Sequence, residues 1–235
     1  IYKGCKNVSI SGNFGMMQTA LGLAAVALDT MPETAEWIDF VMQPGTTNYS
    51  SDICTGGNVL PALINQIGRD GIGDENAPGY NYIWLSSLID IADTFSNYKK
   101  YDGANLWENP KMQAMLPSWL PLILCSRYQA QIGDSGSAGN LGTHLKLDDT
   151  LVGYINTKNP VLAQATYWLN NNSTTNLHTD IFTKDPEKIQ RDIQNVIDQY
   201  GEYNFSQSTM QPSWGLAVLR DGSYNPAGNV SETYD

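Results

Sequence analysis

Between residues 13 and 29 nearly every position is apolar or small, and Met16, Met17, Leu21, Leu23, Val26 and Leu28 fall around the whole circumference of a helix. A helix that is apolar on most sides is buried on most sides. Pro32 opens a second helix carrying Trp37, Ile38, Phe40 and Val41, which closes near Pro44-Gly45. A polar loop leads to a helix from about Asn58, with Leu60, Leu63, Ile64 and Ile67 at helical spacing. Residues 70–79 are rich in glycine and acid and read as a loop. The following helix carries Ile83, Trp84, Leu88, Ile91, Ala92 and Phe95. Another is predicted from Pro110 to Cys125, interrupted by Pro117 and Pro121. Residues 131–150 read as loop. Asn159-Pro160 caps a helix running to about Asn170, and Asp185-Pro186 starts the clearest one. Its stripe of Ile189, Ile193, Val196, Ile197 and Tyr200 ends at Gly201.

The pattern then changes. Trp214 to Arg220 is β-rich, and Asp221-Gly222 is a hairpin signal. The expected fold is mainly α: an incomplete (α/α) toroid of helical hairpins over residues 1–203. Residues 204–235 are expected to be the first strands of a truncated β-sandwich domain. The helices are too few to close a full ring.

Composition narrows the functional classes. Of 235 residues, 16% are charged and 41% hydrophobic, which excludes disorder as the general state. No apolar run reaches the roughly 18 residues a membrane-spanning helix needs. Thirteen basic against 24 acidic residues give a net charge of −11, which excludes a sequence-independent nucleic-acid binder. Cys5, Cys54 and Cys125 form no CxxC pair, so a disulfide framework does not organise the fold. His144 and His178 are too widely spaced to advertise a zinc site. Ile1 at the start, without a signal peptide, suggests a processed or excised piece of a larger protein. Asn-x-Ser/Thr sequons at Asn7, Asn48, Asn171, Asn172, Asn204 and Asn229 hint at an extracytoplasmic setting, secreted, periplasmic or at the cell surface.

Two segments carry candidate chemistry. Gly133-Asp134-Ser135-Gly136 looks like a protease nucleophile turn, but both histidines follow the serine and the setting is helical. The simpler reading is a tight glycine turn with Asp134 capping it. The richer cluster runs from Arg69 to Tyr82, RDGIGDENAPGYNY. Small residues there expose a carboxylate pair, and two tyrosines follow at the mouth of the next helix. Capping of that helix and catalysis explain this arrangement equally well.

RDGIGDENAPGYNYIW resembles the "DG…E…PGY" signature of the heparinase II/III-like polysaccharide lyases. SGNFGMMQTALGLAAVALD resembles that family's Asn-containing inner helix, and YQAQIGDSG its "GDS" loop. DIFTKDPEKI followed by SWGLAVLRDG resembles the exit from its helical toroid into the central β-sandwich. The matches keep the family's order and span about residues 11–222. The resemblance implies an (α/α) toroid packed on β-sandwich sheets, with an acidic, uronic-acid-containing polysaccharide bound in the cleft between them. It implies cleavage by β-elimination: a base removes the C5 proton, an acid protonates the departing O4, and a third group neutralises the sugar carboxylate.

By position in the matched motifs, Asn13 and Glu75 are the implied carboxylate neutralisers. Tyr80 and Tyr128 are the acid or base, with Tyr128 favoured. Arg69, Arg127, Asp134, Trp107 and Tyr82 are the implied substrate contacts. The local alternatives are an N-cap for Asn13, helix-start packing for Tyr80 and Tyr82, a core position for Trp107, and an Arg127–Asp134 ion pair. Phe14 and Ile72 stand where some members of this group have histidine. His144 lies near the GDS loop but in no matched motif. No cofactor is expected in this chain; the resemblance puts any metal site in the β domain, whose remainder is the expected protein partner. An inverting glycoside hydrolase, using Glu75 with Asp134 or Asp74, and a non-catalytic carbohydrate-binding fragment are the competing readings.

Overall fold

A computed structural model describes residues 1–9, 12–75, 77–134, 144–178, 183 and 185–220. The described chain is mainly helical, with nine α-helices and three two-stranded antiparallel sheets. In chain order these are α1 (Tyr2–Lys6), α2 (Met16–Leu28), α3 (Glu33–Met42), β1 (Thr47–Asn48), β2 (Ile53–Cys54), α4 (Val59–Asn65) and α5 (Pro78–Asn97). There follow α6 (Pro110–Met115), β3 (Ile123–Leu124), β4 (Tyr128–Gln129), α7 (Leu147–Thr157), α8 (Pro160–Leu169), α9 (Pro186–Tyr200), β5 (Thr209–Gln211) and β6 (Leu216–Val218). None of the helices is long and apolar enough to cross a membrane among the described residues.

The centre of the molecule is α5. Leu85, Leu88, Ile91, Ala92 and Phe95 are buried along it, and α2 and α7 pack against it. Pro78 begins α5 at a position where a missing N–H costs nothing. The expected helix at 13–29 starts three residues late, because Gly15 takes φ +98 and lies against Ser87 of α5. An L side chain there would be strained and would collide with Ser87. The Gly15 N–H donates to Gln18 Oε1 (3.0 Å) and the Met16 N–H to the Asn13 backbone O (3.1 Å), so the start of α2 does not use the Asn13 side chain.

Proline and Asx chemistry set several other boundaries. Asn109 accepts from the Lys111 and Met112 N–H groups, Asn159 from Val161 and Asp185 from Lys188, each ahead of a proline at the first helical position. The helix expected from Pro110 to Cys125 is cut short at Met115. Pro117 and Pro121 remove the donors a continuing helix needs, and the chain passes through a 3-10 turn at Leu120–Leu122 into the β3–β4 hairpin. The stretch read as loop to residue 150 contains the start of α7, where Asp148 and Asp149 sit in the first turn and favour the helix dipole. The polar loop after α3 holds the β1–β2 hairpin.

At the C-terminal end of the described chain, α9 keeps most of its predicted stripe: Ile193 is buried, Ile189, Val196 and Ile197 pack partly against the core, and Tyr200 in the last turn is exposed. The β-rich segment forms a hairpin whose strands pair Thr209 with Val218 and Gln211 with Leu216. Its turn is Pro212–Gly215. The predicted turn at Asp221-Gly222, Ser135-Gly136 and the Asn229 sequon lie outside the described residues.

Candidate functional site

The loop between α4 and α5 is held by bonds from distant parts of the chain. Gly68 N–H donates to Ile72 O (2.8 Å), and Ile67 and Gly73 form an isolated antiparallel bridge. The Asp70 carboxylate accepts the Ile72 N–H (3.2 Å), the Ser213 N–H (2.9 Å) and the Ser213 hydroxyl (2.6 Å). Trp214 Nε1 donates to Gly73 O (3.0 Å), so the β5–β6 turn clamps this loop from outside. Burial alone would raise the Asp70 carboxyl. The bonds from Ser213 and Ile72 outweigh it and hold the group below the ordinary carboxylate range.

At the other end of the loop, the buried Asn81 donates from Nδ2 to Glu75 O. That bond fixes the Glu75 backbone and leaves the side chain half-buried at the edge of a cleft. The cleft has a volume of about 380 Å³, and its described lining is Asn13, Asp74, Glu75, Ala77, Tyr80 and Asp134. Three segments far apart in sequence therefore meet here: the turn before α2, the loop and first turn of α5, and the residues after β4.

Helical geometry separates the two candidate tyrosines of α5. Positions two apart on an α-helix point about 200° away from each other. Tyr80 faces the cleft, while Tyr82 is buried against Trp119, with ring centroids 5.2 Å apart. The Tyr82 hydroxyl donates to Asp149 Oδ2 and accepts the Lys146 N–H (2.9 Å). Burial, reinforced by the Asp149 charge, pushes its ionisation far above the ordinary tyrosine value. Tyr82 is a neutral structural donor joining α5 to α7, not a substrate contact. Trp107 is likewise withdrawn: it is 5% exposed inside the core and offers no face to a sugar.

The remaining expected residues lie outside the described lining of this cleft. Tyr128 is half-buried on β4, paired with Leu124. Arg127 is exposed, with its guanidinium 5.6 Å from the centre of the Tyr128 ring, and it forms no salt bridge with Asp134 among the described residues. Arg69 is exposed at the start of the loop. His178 is also exposed. Asn13 is not the cap of α2, because Gly15 and Gln18 fill that role. Its side chain lines the cleft instead.

One residue outside every matched motif is brought close. His144 lies over Gly79, where an added Cβ would stand 3.3 Å from its Nε2, and its ring stacks on Tyr82 at 6.3 Å. It therefore sits on the first turn of α5, one residue from Tyr80. Its only sequence signal was nearness to the GDS loop. Among the described residues no group of three or more His, Cys, Asp or Glu side chains is placed to hold a metal ion. The described lining of the cleft carries three carboxylates, one amide and one phenol, a set suited to proton transfer and to hydrogen bonding with a polyhydroxylated ligand. No protein-family model matches the chain, and no curated protein or solved structure matches it.

Proposed function

We propose that this chain is the helical part of a polysaccharide lyase that cleaves a uronic-acid-containing polysaccharide by β-elimination outside the cytoplasm. In this reading the helices belong to an incomplete (α/α) toroid, and β5–β6 is the start of a β-sandwich whose remainder is its partner. The reading is carried by one observation: Asn13, Glu75 with Tyr80, and Asp134 come from three separately matched motifs and line a single cleft.

In the proposed mechanism, the Asn13 amide hydrogen-bonds the sugar carboxylate, Glu75 shares a proton with that carboxylate in the complex, and together they make the C5 proton removable. Tyr80 takes the place first given to Tyr128 as acid or base, since it lines the cleft. His144, which lies over the neighbouring Gly79, is the candidate partner. The base takes the C5 proton, the electron pair forms the C4–C5 double bond, and the departing O4 receives a proton from the acid.

A second reading is favoured by the lining itself. Asp74, Glu75 and Asp134 with no described cation suit an inverting hydrolase, which needs two carboxylates across the bond, better than they suit a polyanionic ligand. Incubation with a panel of acidic polysaccharides separates the two. The lyase gives unsaturated products and a rise in ultraviolet absorbance that Glu75→Gln and Tyr80→Phe abolish. Saturated reducing ends without that rise establish the hydrolase. Neither product from the full-length parent protein overturns both.

A further inference from the structure

Away from the acidic cleft's lining, α1 lies against the β1–β2 hairpin, with Cα atoms of α1 and β2 inside 8 Å of one another. Cys5 on α1 is completely buried, and Cys54 at the end of β2 is 5% exposed. Both line one cavity of about 220 Å³, together with Phe14, Gln18, Thr47 and Tyr49. Neither is in a disulfide in this structure. Burial raises the Cys5 thiol above its ordinary range; the chain's amino terminus opposes this, and Cys54 adds a smaller raising contribution. The Thr47 hydroxyl donates to Cys54 Sγ (3.5 Å), and that Sγ in turn donates to Gly56 O (3.5 Å).

We propose that Cys5 and Cys54 are a disulfide-forming pair, closed by a low-molecular-weight disulfide oxidant to tie α1 to β2. The Cys54 thiolate attacks one sulfur of the oxidant, forming a mixed disulfide and releasing one thiolate. The Cys5 thiolate then attacks the Cys54 sulfur, forming the protein disulfide and releasing the second thiolate. Two protein thiols and one small disulfide become one protein disulfide and two small thiols. The protein gives up two electrons and two protons, and the oxidant takes both. Cys54 reacts first because it retains some exposure, whereas Cys5 has none. The bond encloses α2, α3 and β1 in one covalent loop, which restricts the unfolded chain. Cys125, which follows β3, is outside the described lining of this cavity.

The test is oxidation of the full chain with glutathione disulfide, followed by alkylation, digestion and mass mapping. The expected result is a linked peptide pair containing Cys5 and Cys54, two hydrogens lighter than the separate thiol peptides. In a Cys125→Ser background no thiol remains titratable in denaturant, and Tm rises by roughly 5–10 °C in a manner that dithiothreitol reverses. Three results each overturn the proposal: both thiols still titratable in a chain with native circular dichroism, a stable glutathione adduct in place of the bridge, or a bridge that includes Cys125. Mapping the unsubstituted chain answers the question even where a Cys5→Ser or Cys125→Ser variant fails to fold.

Discussion

The two walls of the acidic cleft are built in opposite ways. The Glu75 wall is fixed from three directions: Ser213 and Trp214 hold its loop from the β5–β6 turn, Asn81 holds its end from α5, and Lys111 donates from Nζ to Ile67 O at its base. The Asp134 wall follows a hairpin of two-residue strands, and Asp134 itself is exposed after Gly133 at φ +60. The first wall is preorganised by these long-range bonds, and the second presents an exposed carboxylate after a short hairpin. Groups needed at a fixed position belong on the first, and groups that adapt to a ligand belong on the second.

Breaking what stands behind the fixed wall has the largest expected effect. Tyr82→Phe leaves the buried Asp149 carboxylate without its phenol donor, and should cost about 2–4 kcal/mol of stability in denaturant unfolding. The same bond shapes the alkaline limb. Tyr82 and Tyr101 are both raised in the folded state, Tyr101 to about 12 by burial and then by its bond to Asp39. The folded chain therefore keeps protons that the unfolded chain loses from pH 10 upward. That stability is complete below pH 10 and falls as pH rises toward 12. A Tyr101→Phe variant should lose the part of this dependence that lies between those values, read as Tm against pH.

Gly73→Ala comes next. An added Cβ would stand 2.2 Å from Asn81 Oδ1, so Asn81 must shift and release Glu75 O. About 1–3 kcal/mol of stability should be lost, and a glycan-dependent change in tryptophan fluorescence should weaken with it. If stability falls but ligand response is untouched, the loop does not position the site.

Asp70→Asn should cost about 1–2 kcal/mol at neutral pH. Because its folded carboxyl lies below the ordinary value of 3.8, its contribution is present above that value and is lost as pH falls further. The substitution should therefore flatten the acid limb of a Tm–pH profile. Asp134→Asn should have the smallest effect on stability, within about 0.5 kcal/mol, while reducing turnover or glycan binding. An equal loss of stability at Asp134 and Asp70 would erase the contrast between the two walls.

The convergence at the cleft was partly legible because the chemistry-bearing residues lie in short local motifs. Glu75 and Tyr80 are five positions apart and meet through one loop and one helical turn. Tyr82 and Trp107 could not be placed in the same way. A polar-tipped aromatic reads the same in a sequence whether its ring meets solvent or a buried Asp149. His144 was invisible as a neighbour of Gly79 and Tyr82, since only the packing of α7 against α5 brings the segment before α7 onto that turn.

The sequence by itself determined the mainly helical character and the starts of α6, α8 and α9. An Asx side chain followed by proline satisfies the first helical N–H groups within a few residues, with no distant partner. It also determined which face of α9 turns inward, because a 3.6-residue period is a local property. Only the tertiary structure decided where α2 begins, that α7 forms, that the C-terminal hairpin turns at Pro212–Gly215, and that Asn13, Glu75, Tyr80 and Asp134 share a cleft. Each of these rests on contacts between distant segments, such as Gly15 on Ser87, Tyr82 on Asp149 and Ser213 on Asp70. Their free energy exists only once the chain has brought those segments together.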